Sequence, residues 1–397
     1  MVWKGMKPLL MLVLMVGSAW LAAFGQQAEF DEHYGPWRDH FDEYLETEGG
    51  KQLEAPFVPT PPEVVAAMLR MAGVGKDDVV YDLGCGDGRI PVAAVKDFGA
   101  KRGVGVDLDP QRIKECHENA QKAGVADRLT FIEEDLYKAD VRDCTVLGLY
   151  LYEKMNIKLR PILYRQLRPG ARIVSHDFHM GDWEGDKVEK VKGPSRQHTV
   201  HFWVMPASVA GTWRWSIWSG FHRHTYTLTL RQRYQKISGT LTSDGQEAPI
   251  ADAKLVGDQL SFTAALTAHG QTVKRAFAGR ISGDSIKGTM DGTVAWKAAR
   301  DKAKVVGMWR WTLPGSEQTL ALRIERRDGQ LAATYLDGKE EKPVPDFYVW
   351  GGGIRFNLEP EGGKTVYEGL VQGDRISGTL ERAGAQPVKW DAAWAKI

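Results

Sequence analysis

Val79-Val80-Tyr81-Asp82-Leu83-Gly84-Cys85-Gly86-Asp87-Gly88-Arg89-Ile90 decides how the N-terminal half of this chain is read. Two β-branched residues and a tyrosine lead into an acid, glycines follow at alternating positions, and apolar residues then take helical spacing. That order is a strand, a tight turn and a helix start. Glycines there let the backbone turn sharply and leave no Cβ between the chain and a ligand. A second acid, Asp107, ends the next strand pattern in Arg102-Gly103-Val104-Gly105-Val106-Asp107-Leu108-Asp109-Pro110. A carboxylate at that strand end is placed to accept hydrogen bonds from ribose hydroxyls. Together these stretches describe a nucleoside-binding α/β unit.

The glycine spacing narrows the nucleoside. A dinucleotide loop runs G-x-G-x-x-G and brings a helix N-terminus against a pyrophosphate; here it runs G-x-G-x-G, with Asp82 two residues ahead. An acid at that point repels a pyrophosphate and suits a cationic or zwitterionic ligand. Through Asp82–Gly88, Asp107 and a third landmark, Glu134-Asp135-Leu136, the chain resembles the seven-strand, Rossmann-like S-adenosylmethionine-dependent methyltransferases. The competing readings are a NAD-type site and a bare structural turn. The resemblance implies that Asp82, Gly84, Gly86 and Gly88 line the methionine part, Asp107 holds the ribose and Asp135 reaches the adenine amine. Cys85, Leu108, Leu136 and Thr60 are further positions expected at the cofactor. Asp87 reads equally as a turn former and as a ligand contact.

With 397 residues the chain is too long for one typical domain. Its 43% apolar and 26% charged content is ordinary for a globular protein. The net charge of +1 hides an asymmetry, +6 from Pro206 onward and −5 before it, and neither half has the basic excess of a nucleic-acid binder. The three cysteines, Cys85, Cys116 and Cys144, have neither an even count nor metal-ligand spacing, which argues against a disulfide framework and a zinc site. Lys4 and Lys7 precede an apolar run from Leu9 to Phe24, with small residues at Ala23 and Gly25. Residues 1–25 thus read as a secretory signal or an uncleaved anchor, and the charges around them place the rest of the chain outside the cytoplasm, in the periplasm or cell envelope, with a cytoplasm-facing chain as the alternative. Export conflicts with a cytosolic methyl donor.

Residues 26–50 read as an arm. In Ala55-Pro56-Phe57-Val58-Pro59-Thr60-Pro61-Pro62-Glu63 the prolines enforce an extended entry, and Thr60 is a candidate N-cap for a helix over Val64–Ala72. Strand and helix signals then alternate: Val79–Leu83, a helix from Ile90, Gly103–Asp107, a helix over Pro110–Ala123 capped by Asp109, Leu129–Glu133, Thr145–Leu151, a helix over Met155–Leu167, and Ala171–Asp177. Lys187–Val191 and Thr199–Met205 supply closing strands. The expected fold is an α/β Rossmann-like methyltransferase domain over 51–206, followed by an all-β part. From Gly211 short alternating strands separated by glycine turns take over, and the grammar repeats. Gly211-Thr212-Trp213-Arg214-Trp215 recurs as Gly307-Met308-Trp309-Arg310-Trp311, and Trp296-Lys297-Ala298-Ala299 as Trp390-Asp391-Ala392-Ala393. Two repeats, 207–302 and 303–397, are expected, as antiparallel barrels or strongly curved sheets, with one larger sheet built from both as the alternative; the opening G-x-W resembles that of lipocalin-like barrels.

Methyl transfer needs alignment more than acid–base chemistry, and a base only where the nucleophile arrives protonated, as a lysine ammonium does. Phe57 and its neighbours, the glycine stretch, and Val174-Ser175-His176-Asp177-Phe178 narrow the resemblance for residues 51–206. This part is similar to bacterial relatives of the membrane-anchored lysine methyltransferases that modify the mitochondrial ATP synthase c subunit and adenine nucleotide carrier. That resemblance implies N-methylation of protein lysine. An Asn/Asp-Pro-Pro-Tyr motif is replaced by Leu149-Tyr150-Leu151-Tyr152-Glu153. Glu153 and Tyr150 are the catalytic candidates, against a plain strand-end reading; Phe57, Tyr152, His176 and Asp177 are the substrate candidates, the last two against a polar strand terminus. His179, His198 and His201 form no metal set with them by spacing, and His222 with His224 lacks a third ligand. The repeated tryptophans read as barrel packing, Trp218 and Trp350 as an exposed contact surface. The alternatives are a small-molecule or lipid methyltransferase and an exported binding protein with a non-catalytic methyltransferase-like domain.

Overall fold

The computed structural model describes residues 52–395 except 269–270, 314–318, 328–329, 338–339, 360–363 and 383; the N-terminal apolar run lies outside them. No helix among the described residues is long and apolar enough to cross a membrane.

The first unit is built on β1 (Val79–Leu83), β2 (Arg102–Asp107), β3 (Leu129–Glu133), β4 (Val146–Leu149), β5 (Arg172–His176), β6 (Lys187–Lys192) and β7 (Gln197–Val204). They form one sheet in the order β3-β2-β1-β4-β5-β7-β6. The first five strands run parallel, β7 enters antiparallel to β5, and β6 pairs antiparallel with β7. Helices α1 (Pro62–Met71), α2 (Arg89–Lys96), α3 (Pro110–Ala123) and α4 (Glu153–Gln166) accompany it. β4 is buried at every position and β1 at four of five, as expected of strands covered on both faces. Strand order reverses between β1 and β4, the switch point beside which open α/β sheets bind ligands. One detail of the entry differs from expectation. The residue before α1 is Pro61, with no side-chain cap; the Thr60 hydroxyl points instead at His176. Asp109 does cap α3, accepting from the Gln111 N–H at 2.9 Å.

Eight strands between Gly211 and Arg300 close into an antiparallel barrel. Among the described residues, nine between Gly307 and Ala395 form an antiparallel sheet whose two end strands are not paired with each other. The interiors are filled by side chains, among them Trp215, Phe262, Phe277 and Trp296 in the barrel and Trp311, Phe356, Tyr367 and Trp390 in the open sheet. Trp213 and Trp309 are fully buried, and each donates from Nε1 to the carbonyl four residues earlier, at 2.8 and 2.9 Å. Trp218 is 68% exposed at a hairpin end beside Phe221, whereas Trp350 is buried. The expectation for Trp350 fails because it packs into a core shared with the first unit, edge-on to Tyr164 of α4.

That shared core has a charged centre. Asp182, in the loop between β5 and β6, accepts from Arg160 of α4 at 2.5 Å and from Tyr234, just past the second barrel strand, at 2.9 Å. Its other oxygen accepts from Arg355 of the open sheet at 2.5 Å and from Arg233 of the barrel at 3.0 Å. Arg160 and Arg355 are each only 2% exposed. Burial pushes the Asp182 carboxyl up, but Arg355 and Arg160 outweigh it and hold the group well below the usual range. Replacing Asp182 by alanine removes the shared partner of two buried guanidiniums and leaves, among the described residues, only the carboxylates of Glu368 on Arg355 and Asp346, 3.7 Å from Arg160, a loss somewhat below the roughly 3–5 kcal/mol of a wholly unpaired buried charge. Urea unfolding of Asp182→Ala, followed by tryptophan fluorescence, should therefore show a much lower midpoint; an unchanged one refutes the hub.

Candidate active site

The loop after β1 turns through three left-handed glycines, Gly84, Gly86 and Gly88. Gly86 shows why the sequence cannot vary there. A Cβ on it would lie 2.3 Å from Phe57 Cε2, so the ring of Phe57 rests on bare backbone. The Gly86 N–H donates to Asp107 Oδ2 at 2.8 Å, joining the loop to the end of β2. Gly88 does not line the cavity; it is a packing position, where a Cβ would meet Cys116 Sγ at 2.9 Å. Cys85, Cys116 and Cys144 are free and buried.

A cavity of about 340 Å³ opens here, at the switch point. It is lined by Asp82, Gly84, Cys85, Gly86, Asp87, Asp107, Leu108, Asp135, Leu136, Thr60, Phe57 and Tyr150 among others. Of the expected cofactor positions only Gly88 is missing from that wall. Tyr152, Glu153, His176 and Asp177 do not line it either. Tyr152 packs edge-on against Phe178. Glu153, at the start of α4, faces His179 at 3.4 Å. His176 is fully buried behind the wall, with Thr60 Oγ1 3.1 Å from its Nδ1 and the Tyr150 ring 3.8 Å away. Asp177 turns away in a left-handed conformation, φ 59°, and pairs with Arg196.

The electrostatics of the wall select a ligand charge. Burial first, then the neighbouring Asp107 and Asp87, push Asp82 well above the usual carboxylate range. Burial also raises Asp107, opposed by N–H donors from Asp109 and Gly86. Asp87 is compensated by Arg89, whose Nε lies 2.8 Å and Nη2 2.6 Å from its two oxygens. A cation entering beside Asp82 would relieve that burial; a phosphate would aggravate it. These residues therefore fit a cationic donor and disfavour a pyrophosphate.

Several residues of the site escaped the sequence reading. Arg89 also donates to the Thr60 carbonyl at 2.9 Å and thereby ties the strap over 54–60 to the glycine loop. Its signal was present: an arginine opening a helix opposes the helix dipole and implies a partner. On the other side Glu54 accepts from Tyr137 at 3.0 Å and Lys158 at 2.7 Å, and Lys158 lies 3.7 Å over the Tyr137 ring. No local pattern announces that triad. His198 is the main correction. Spacing separates it from His176, but the β5–β7 pairing sets His198 Nδ1 2.7 Å from His176 Nε2, with Asp177 beside both. His176, Asp177 and His198 are thus close enough to hold a metal ion. Arg196 occupies the same Asp177 oxygen, however, and its positive charge opposes a cation there.

The model of the ANTKMT methyltransferase domain matches residues 82–187. A protein-lysine N-methyltransferase of Saccharolobus islandicus (strain REY15A) is 43% identical over 150 residues, covering 38% of this chain and 93% of that protein. The adenine nucleotide translocase lysine N-methyltransferase of Mus musculus is 30% identical over 133 residues, covering 34% of this chain and 57% of that protein. Among solved structures, an RNA methyltransferase from Salinibacter ruber in complex with S-adenosyl-L-homocysteine is 49% identical, covers 37% of this chain and 93% of its own, and superposes with a TM-score of 0.35.

Gly86→Ala tests the strap. A left-handed alanine costs roughly 1–2 kcal/mol in backbone strain alone, and the new methyl must expel Phe57. Hydrogen exchange of the backbone around residues 54–60 should accelerate in the variant; unchanged protection there would show that Phe57 does not hold the strap.

Proposed function

Because the chain belongs to the protein-lysine N-methyltransferases of the class I, S-adenosylmethionine-dependent type, we propose that its first unit methylates the side-chain amine of lysine in a protein. The observation that carries the reading is Asp82, a fully buried carboxylate raised by its surroundings in the wall of the switch-point cavity. When bound, the donor supplies a methyl group on a sulfonium, which leaves as a neutral thioether. Asp82 would face its positive end. Asp107, held by the N–H groups of Gly86 and Asp109, would accept from ribose hydroxyls, and Asp135 with Leu136 would meet the adenine. The strap over 54–60, clamped by Arg89 on one side and Lys158 on the other, would exclude water and align the amine with the methyl.

We read the two β units as a duplication serving substrate or envelope attachment. The buried Trp213 and Trp309, bonded alike, support the duplication. The apolar run Leu9–Phe24 supports export or membrane anchoring. Alkaline phosphatase fused after Gly50 should then be active in bacterial cells; an inactive fusion would put the enzyme in the cytosol.

Calorimetry with S-adenosylmethionine and S-adenosylhomocysteine tests the donor site. Binding of both is expected, and Asp107→Ala should weaken it by about 1.5–3 kcal/mol, the scale of lost charge-assisted hydrogen bonds. The raised Asp82 keeps its proton to higher pH than a free carboxyl, and a bound cation must displace it. S-adenosylmethionine binding should therefore release protons and tighten as pH rises through the Asp82 value, and Asp82→Asn should abolish that slope. Absence of binding, or a slope of opposite sign, contradicts the assignment.

A further inference from the structure

A chain of polar contacts leaves the cavity wall at Thr60 and runs to the far strands of the sheet. Thr60 Oγ1 lies 3.1 Å from His176 Nδ1, and His176 Nε2 lies 2.7 Å from His198 Nδ1. Asp177 Oδ2 sits 3.2 Å from the second of those three nitrogens and 3.4 Å from the third. His176 is fully buried and His198 is 5% exposed, yet His198 Nε2 has no hydrogen-bond partner among the described residues. Thr60 is the only member that lines the cavity.

Two neutral imidazoles joined by one hydrogen bond have two tautomeric arrangements. In the first, the Thr60 hydroxyl donates to His176 Nδ1, His176 donates from Nε2, and His198 carries its proton on Nε2. In the second, each proton sits one place back: His198 donates from Nδ1 to His176, and His176 donates from Nδ1 to Thr60. No heavy atom moves between them, and Asp177 faces the shared proton in both. Neutrality is supported by the surroundings. Burial holds both imidazoles below the usual histidine range, with Arg196 adding to the effect and Asp177 opposing it. The other groups facing this chain are the Tyr150 ring on His176 and His201, whose Nε2 is 3.3 Å from the Asp177 carbonyl. Lys190, bonded to Thr199, stands further along the same edge.

We propose that Thr60, His176 and His198 form a proton relay that draws the proton from the acceptor lysine's ammonium out of the cleft. The proposal rests on the lysine-methylating reading above. The lysine N–H bond breaks as its proton passes to Thr60 Oγ1, whose own proton passes to His176 Nδ1. The His176 Nε2 proton passes to His198 Nδ1. The imidazolium so formed is held by Asp177 until the methylated lysine leaves, when its proton returns along the same contacts through Thr60 to water in the opened cleft. The freed lysine lone pair forms the N–C bond while the C–S bond breaks and its electron pair stays on sulfur. Thr60 meets the acceptor; His176 and His198 act through it as positioning residues.

The test uses the full chain, S-adenosylmethionine carrying a labelled methyl group, and poly-L-lysine as acceptor. Thr60→Val and His176→Gln should each lower kcat at neutral pH by about 100-fold, the low end for a lost proton-transfer path. KM for S-adenosylmethionine should stay unchanged in His176→Gln, whose side chain lies behind the cavity wall. The deficit should close as pH approaches about 10.4, where a lysine amine arrives already unprotonated. A loss equal at every pH, no loss at all, or a stoichiometric metal ion in the purified protein would overturn the relay while leaving the methyltransferase in place. Thr60→Val decides the matter even where His176→Gln fails to fold. A wild-type chain that transfers no methyl group at any pH overturns the lysine reading, and the relay falls with it.

Discussion

Asp182 is the interaction on which the arrangement of the three units depends. A guanidinium is costly to bury unless its charge is met, and here Arg160 from the sheet unit and Arg355 from the open β sheet are both almost wholly enclosed. One carboxylate pairs with both, beside Glu368 on Arg355 and Asp346 near Arg160, and the barrel adds Arg233 and the Tyr234 hydroxyl to the same two oxygens. The apolar core continues around this hub, from Leu159 and Trp183 to Tyr348 and Trp350. The β units are therefore fastened to the α/β unit by buried charge and shared core, not strung from it.

That fastening reaches the site through the chain itself. Asp177, beside the paired histidines, and Asp182, at the hub, belong to the same connection between β5 and β6. Trp183 in that connection donates to Gln235 at 2.9 Å, Gln235 donates back to the Glu184 carbonyl at 2.8 Å, and Lys236 pairs with Glu184 at 2.7 Å. The barrel hairpin thus grips the segment that leaves the cleft. At the cleft, three carboxylates are sorted by their partners. Asp87 has Arg89, Asp107 has backbone N–H groups, and Asp82 is left buried against its acidic neighbours. A cationic donor is the ligand class which that sorting favours.

Legibility from sequence followed the range of the interaction. The alternation of strands and helices was readable because parallel strands are continuous apolar runs and their turns need glycine. Asp82, Asp107 and Asp135 were readable because strand ends place them without help from distant segments. Adjacency to Tyr150 points Tyr152 and Glu153 to the cleft, but the start of α4 turns them toward Phe178 and His179. Trp350 follows a turn-rich stretch that reads as loop, but the core shared between units encloses it. Thr60 looked like a cap because Thr before a proline-led helix often is one; the strap places its hydroxyl on His176 instead.

By itself, the sequence determined the α/β class, the glycine turn, the charge of the ligand that turn accepts, and the change to β structure after Gly211. Each of these rests on short-range chemistry: backbone freedom, strand periodicity, and an acid at a strand end. Only the tertiary structure decided that the first β unit closes while, among the described residues, the end strands of the second are not paired with each other, that Asp182 joins all three units, and that His198 meets His176. Those depend on antiparallel register and on segments tens of residues apart meeting in a dry interior, where a buried charge or imidazole must find its partner. Local pattern carries no record of such meetings, because the partner is chosen by the fold and not by the neighbouring residues.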